Sequence, residues 1–119
     1  MFEGAVHEIA PNVLAVVAEA GANLGAVLTS EGPVLIDTPL VPAEAREWAK
    51  IIAERNNKPV RYIINTDHHR AHCLGNQHFD APVIAHEYAW REMTSFSDSF
   101  RQRVADRFRR RNPRAYQEL

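Results

Sequence analysis

The feature that most constrains the fold is an amphipathic helical segment followed at once by a short apolar strand. The helix is predicted over "AEAREWAKIIAER" (43–55), with Pro42 well placed at its start. Its apolar side chains at helical spacing are Ala45, Trp48, Ile51 and Ile52. "VRYIIN" (60–65) is typical of a buried strand reached through a crossover helix. This order predicts a β-α-β unit and therefore an α/β domain.

The residues before this unit predict an antiparallel meander. "NVLAVVAE" (12–19) and "GAVLTS" (25–30) are β-rich runs separated by the turn-forming stretch "AGAN". "EG" at 31–32 indicates a tight hairpin turn into "PVLID" (33–37). Beyond the β-α-β unit, "APVIAHE" (81–87) predicts one more short strand, and the "YAWREM" that follows predicts a helix.

The end of the chain differs in charge from its beginning. Residues 1–60 hold eight acidic and four basic residues, whereas 101–119 hold seven arginines and two acids. An apolar stripe follows Ser97, a residue type that caps helices, and consists of Phe100, Val104 and Phe108. We therefore expect an Arg-rich amphipathic helical extension over 96–119, attached to a domain over 1–95. The arginines favour a solvated helix face over a site for phosphate or nucleic acid.

Composition narrows the class of protein and its location. The 119 residues are 45% hydrophobic and 24% charged, with a formal net charge of −1, which argues against a general nucleic-acid binder. The single cysteine, Cys73, excludes an internal disulfide framework and suits a reducing compartment. No apolar run approaches the about 20 residues of a membrane span, and the first residues include acids where a signal peptide is basic. The sequence predicts a cytoplasmic protein without a membrane partner.

The richest chemistry lies in "NTDHHRAHCLGN" (65–76), which holds three histidines and Cys73 directly after the predicted buried strand. The carboxyl end of such a strand is where α/β proteins place functional groups. Imidazoles and a carboxylate there can converge on a divalent ion. They can equally be loop residues that bond to backbone and water, and the residues alone leave both interpretations open. For Cys73 we favour a packing role over that of a nucleophile.

Three segments in order resemble the N-terminal half of the metallo-β-lactamase superfamily, over about residues 6–90. They are "GANLGAVLTSEGPVLIDTP", "YIINTDHHRAHCLGN" and "APVIAHE". The resemblance implies half of an αββα sandwich whose metal loop normally reads His-x-His-x-Asp-His. It implies divalent metal, most often zinc, with iron or manganese as alternatives, held by Asp67 and His69 at one ion and by His72 at a second. Ala71 stands where the family has the aspartate that binds the second ion. His68 falls on a position of the motif that accepts any residue.

The resemblance also implies an activity and partners. The activity is metal-dependent hydrolysis of a small-molecule ester, thioester, lactone, amide or phosphate, with further ligands from outside these residues. The chain alone is then expected to bind metal weakly or not at all, and to self-associate or pair with a complementary C-terminal half. Asp37 is either a partner of the metal ligands or the first residue of an Asx turn with Thr38.

Two alternatives to this activity stay open. The first is a non-catalytic binding or assembly module of the same fold, which the loss of the carboxylate at Ala71 favours. The second reads Asp67, His69 and His72 as a single site of two histidines and a carboxylate, the ligand set of non-haem iron oxygenases.

Overall fold

The computed structural model describes residues 5–17, 22–95, 102–103 and 106–107. Their six strands form one sheet in the order β1-β2-β3-β4-β5-β6. The strands are β1 (Val6–Ala10), β2 (Val13–Val16), β3 (Leu24–Thr29), β4 (Gly32–Ile36), β5 (Tyr62–Asn65) and β6 (Val83–Ala85). The helices are α1 (Pro42–Arg55), α2 (Arg70–Cys73) and α3 (Glu87–Thr94), with a 3₁₀ turn at Asn76–His78. None of these helices combines the length and apolar character needed to cross a bilayer.

The predicted change from meander to β-α-β is confirmed. β1 to β4 pair antiparallel, and β4, β5 and β6 pair parallel. The strands are shorter than predicted at most ends, and β1 was not predicted at all. All but the first of its residues are exposed, so it has little apolar alternation to reveal it. Ser97 and the apolar stripe of Phe100, Val104 and Phe108 lie outside the described residues. The domain boundary near 95 stays a prediction.

The core lies on the face of the sheet that packs against α1. Trp48 and Ile52 of the helix are buried together with one row of side chains that runs across four strands. That row is Leu14, Ala26, Leu35 and Ile63, which the strand register places side by side. Pro42 opens α1 at its first turn, where a missing N–H costs nothing. The predicted helix therefore buries its apolar stripe as expected.

The opposite face of the sheet is apolar but open. Its side chains form two rows that follow the strand register, and none of them is buried. One row is Val13, Val27, Val34 and Tyr62; the other is Ala15, Gly25, Ile36, Ile64 and Ile84. Val27 and Ile84 are 36% and 48% exposed. A contiguous apolar face of this kind marks a surface that normally packs against something else.

The turn after β5 is docked closely against the turn after β4. Gly75 is buried, and a Cβ at that position would overlap the carbonyl oxygen of Pro39 and meet the Thr38 hydroxyl. Only glycine lets these two backbones approach so closely, and so Gly75 determines how near the histidine-rich loop lies to the end of β4.

The two tryptophans allow a matched test of the core. Trp48 is 0% exposed and Trp90 is 57% exposed. We expect Trp48→Ala to lower the free energy of unfolding by about 3–5 kcal/mol, because it empties the centre of the core. Trp90→Ala should change it by no more than about 0.5 kcal/mol. Urea unfolding followed by circular dichroism measures both, and equal effects would contradict this location of the core.

A second pair of variants tests the contact at Gly75. Gly75→Ala should lower the free energy of unfolding by about 1–3 kcal/mol, because the added methyl forces the two turns apart. The exposed neighbour Gln77 serves as control, and Gln77→Ala should change the value by less than about 0.5 kcal/mol. A Gly75→Ala variant as stable as the wild type would show that the turns do not meet as described.

Candidate metal centre

The histidine-rich loop starts where β5 ends, beside the end of β4. Ile36 pairs with Ile64 in parallel register, so Asp37 and Asn65 emerge together at one edge of the sheet. The Asp37 N–H donates to the Ile64 carbonyl at 2.8 Å and extends this pairing by one residue. Both polar side chains are buried, at 3% and 4% exposure. Buried polar groups need partners, and the partners here are groups of the loop.

The Asp37 carboxylate binds the loop at two points. Its Oδ1 accepts the Thr66 N–H at 2.8 Å, and its Oδ2 accepts the Thr66 hydroxyl at 2.5 Å. Oδ2 also lies 2.8 Å from Nδ1 of His72. Asp37 has a φ of 61°, in the left-handed region that few residues other than glycine and Asp or Asn adopt. This backbone conformation aims the carboxylate at the loop, and an Asx turn is not what its oxygens form.

The contact with Asp37 decides the orientation of the His72 ring. A carboxylate oxygen accepts hydrogen bonds, so the proton of a neutral His72 ring resides on Nδ1 and the Nε2 lone pair is available. Histidines that bind metals usually donate their second ring N–H to a carboxylate in this way. The side chain of His72 is 29% exposed, so Nε2 is not sealed into the core.

A network of amides and a hydroxyl holds the backbone of His72. The His72 carbonyl accepts hydrogen bonds from the Thr38 N–H and from Nδ2 of Asn65, both at 3.0 Å. Asn76 joins the two donors, since its Nδ2 donates to Asn65 Oδ1 at 2.6 Å and its Oδ1 accepts from the Thr38 hydroxyl at 2.8 Å. Sequence reasoning did not assign this role to Asn65 or Asn76. A sequence signal for this role was present, because Asn65 is a polar amide at the end of the apolar run of β5.

A second cluster lies at the start of the loop. Asp67 Oδ2 is 2.7 Å from Nδ1 of His69, and Asp67 Oδ1 is 3.2 Å from Nδ1 of His68. The two imidazole rings stack with centroids 4.7 Å apart. The hydrogen bond from His69 holds the pKa of the Asp67 carboxyl below its usual value. Asp67 is therefore the anion of this cluster at neutral pH.

The structure thus places the predicted ligands in two separate groups. Asp67 and His69 lie together, and His72 lies against Asp37. Within the described residues, one group of three offers donor atoms all within 4.8 Å of one another, and its members are Asp67, His68 and His69. His68 was not predicted as a ligand, because it falls on a position of the motif that accepts any residue. No sequence signal placed it in this group with Asp67 and His69. Ala71, half-buried between the groups, offers no donor atom.

Two other residues of interest have structural roles. Cys73 is 5% exposed and its thiol donates to the His68 carbonyl at 3.2 Å. Burial raises the pKa of the Cys73 thiol to about 11, so it is a protonated packing residue at neutral pH, as predicted. His86 caps α3, because its Nδ1 accepts the Tyr88 N–H at 3.1 Å.

No protein-family model and no curated protein sequence matches the chain. Solved structures do match. A metallo-β-lactamase from Hirschia baltica aligns with 75% of this chain and 46% of its own length, at 17% identity and a TM-score of 0.64. The metallo-β-lactamase FIM-1 from Pseudomonas aeruginosa, solved in a mono-zinc form, aligns over 75% and 44%, at 15% identity and a TM-score of 0.61.

The similarity extends beyond β-lactamases. A stereoselective inverting sec-alkylsulfatase from a Pseudomonas species aligns over 76% of this chain and 16% of its own, at 22% identity and a TM-score of 0.66. The chain thus spans less than half the length of each of these structures. Together with the sheet order and the loop after β5, these alignments show that the chain has the metallo-β-lactamase fold.

Proposed function

We propose that the chain is the metal-loop part of a metal-dependent hydrolase of the metallo-β-lactamase fold. The observation that carries this proposal is the arrangement at the carboxyl ends of β4 and β5. There the Asp37 carboxylate orients the His72 ring through Nδ1. On the same loop, Oδ2 of Asp67 lies 2.7 Å from Nδ1 of His69. The metallo-β-lactamases of this fold, one of them solved in a mono-zinc form, support divalent metal as the cofactor.

The residues present fit a divalent ion in part. Asp67 and His69 would hold one ion through a carboxylate oxygen and an imidazole nitrogen, both ordinary zinc, iron or manganese ligands. His72 would turn Nε2 toward a second position, with Asp37 fixing its ring. Ala71 contributes nothing there, so the second position is the weaker one.

The chemistry supplied by a bound divalent ion is activation of a water molecule and polarisation of the bond that is cleaved. The residues of this chain position that chemistry. Asp67 balances positive charge, since its carboxyl is ionised at neutral pH. Asp37 and Thr66 hold the loop against the sheet. The substrate class extends to esters, thioesters, lactones, amides, phosphates and, from the alkylsulfatase neighbour, sulfate esters.

We further propose that a complementary layer covers the open face of the sheet and completes the site. The layer comes from a second polypeptide or from further residues of the same protein. The first support is the open face itself, whose two apolar rows contain no buried residue. The second is length, because the alignments cover only 46% and 44% of two of the matched structures. Without that layer, the same face should drive self-association of the chain.

A non-catalytic binding or assembly module remains the second candidate. Ala71 favours it, because a carboxylate is missing at the position that would serve the second ion. Metal binding by the purified chain separates the two ideas. A cytoplasmic location stays a prediction.

Cobalt(II), whose bound form absorbs visible light, tests the metal site. We expect Asp67→Asn and His69→Asn each to weaken cobalt binding by at least about tenfold, because each removes a direct ligand. His78→Asn is the control, since His78 is exposed on the 3₁₀ turn outside the cluster, and it should bind as the wild type does. Uptake by the wild type below about a tenth of an equivalent would exclude the metal-dependent function for the chain by itself.

The open face can be tested by one charge substitution. The wild-type chain should bind the dye ANS and sediment with a concentration-dependent mass, because the apolar face is exposed. Ile84→Lys should reduce both signals by placing a charge in one of the apolar rows, at its β6 end. Gln77→Lys adds the same charge at an exposed site elsewhere and should change neither. A strictly monomeric wild type that binds no dye would contradict the proposed surface.

A further inference from the structure

Resting on the proposed metal function, we propose that His68 is a direct ligand and that Asp67, His68 and His69 hold a single divalent transition-metal ion. These three residues offer donor atoms within 4.8 Å of one another, and His72 is not a member of that group. The proposal replaces a site divided between two ions by one compact site within three consecutive residues.

The distances suit one small ion. Nδ1 of His68 and Nδ1 of His69 lie 3.2 Å and 2.7 Å from the two oxygens of Asp67. Because a carboxylate oxygen accepts hydrogen bonds, the proton of each neutral ring would have to move from Nδ1 to Nε2 when these nitrogens bind an ion. Ligands about 2.0–2.2 Å from a tetrahedral zinc ion lie roughly 3.3 Å from one another. The two distances to Asp67 thus lie within about an ångström of the separation in a metal site, and all three donor atoms lie within 4.8 Å of one another.

The loop holds His68 more firmly than its neighbour. The His68 N–H donates to Asp67 Oδ1 at 2.6 Å, and the His68 carbonyl accepts from the Cys73 thiol at 3.2 Å. The ring of Tyr88 stands edge-on to the His68 ring, with centroids 5.8 Å apart. The His68 side chain is 27% exposed, against 69% for His69. The His68 backbone is thus held by two hydrogen bonds, and its ring contacts Tyr88, His69 and Asp67, so the side chain is preorganised to bind.

His72 has a different task in this arrangement. Its ring bonds to Asp37, and its carbonyl accepts from Thr38 and Asn65. These bonds tie the loop to the ends of β4 and β5, so His72 positions the cluster without ligating this ion. Three ligands from the chain also leave a fourth tetrahedral position for water, as catalytic zinc sites do. The chain alone is then expected to bind one equivalent of metal, and the loss of a carboxylate at Ala71 has no effect on this ion.

The test compares histidine variants of the purified chain by cobalt(II) absorption and by calorimetric titration with zinc. We expect His68→Asn and His68→Gln to weaken binding by at least about tenfold, with a stoichiometry of one in the wild type. His72→Asn, once circular dichroism shows that it folds, should weaken binding clearly less than the His68 variants do, because it removes a bond that positions the loop and not a ligand of this ion. His86→Asn is the matched control and should bind as the wild type does, because asparagine also caps helices and His86 lies outside the three-residue cluster.

The outcomes separate this inference from the function on which it rests. Loss of binding in His72→Asn together with normal binding in the folded His68 variants would overturn the inference and leave the metal function with Asp67, His69 and His72. Absence of binding by the wild type would overturn both the three-residue site and the metal function for the chain by itself. Weakened binding in the His68 variants alone would support the three-residue site.

Discussion

The hydrogen bonds of one buried carboxylate, Asp37, anchor the histidine-rich loop on both sides of the candidate site, at Thr66 and at His72. Asp37 lies at the end of β4, in a left-handed backbone conformation, and binds Thr66 and His72 across the edge of the sheet. A buried carboxylate without such partners would be costly, so the loop and the strand end stabilise each other. A substitution that breaks these hydrogen bonds in the loop should therefore also destabilise the end of β4, and a substitution at Asp37 should destabilise the loop.

The loop combines a scaffold interaction that is common in metal centres with unusual ligands. The contact between a histidine and a buried carboxylate is what metal centres use to fix an imidazole. Beside it, an aspartate stands where a histidine is expected by resemblance, and an alanine stands where an aspartate is expected. Three adjacent side chains, Asp67, His68 and His69, then become the densest set of donors in the described residues. The fold alone does not decide which chemistry such a loop performs.

Much of the fold followed from local sequence patterns. The 3.6-residue spacing over 43–55 predicts a helix, and α1 confirms it. The Glu31–Gly32 turn predicts a hairpin and the apolar run at 60–65 a buried strand, and the pairing of β3, β4 and β5 confirms both. β1 was missed because four of its five residues are exposed, so its apolar side chains show little alternation to detect. Its existence depends on pairing with β2, which is a tertiary property.

The site was less predictable, for a physical reason. The sequence identifies Asp67, His69 and His72 as residues of suitable chemistry, and their role as ligands remains a prediction. The direction of each side chain depends on the loop backbone, which is held by Asp37, some thirty residues earlier in the chain. Spacing along the loop could not reveal that the His68 ring turns toward the Asp67 carboxylate, or that the His72 ring faces the Asp37 carboxylate.

The small residues in the open face have a consequence for whatever covers it. Ala15 and Gly25 are paired in the register, directly beside Ile36, and a Cβ at Gly25 would lie 3.2 Å from the Cβ of Ile36. The Ile36 side chain therefore borders the space that a side chain at position 25 would take, and only glycine fits beside it without a shift. Because protein interiors are packed without voids, a covering layer has to follow the outline of Ala15, Gly25 and Ile36 closely. The size of these three residues thus limits which side chains of a covering layer can lie over this part of the sheet.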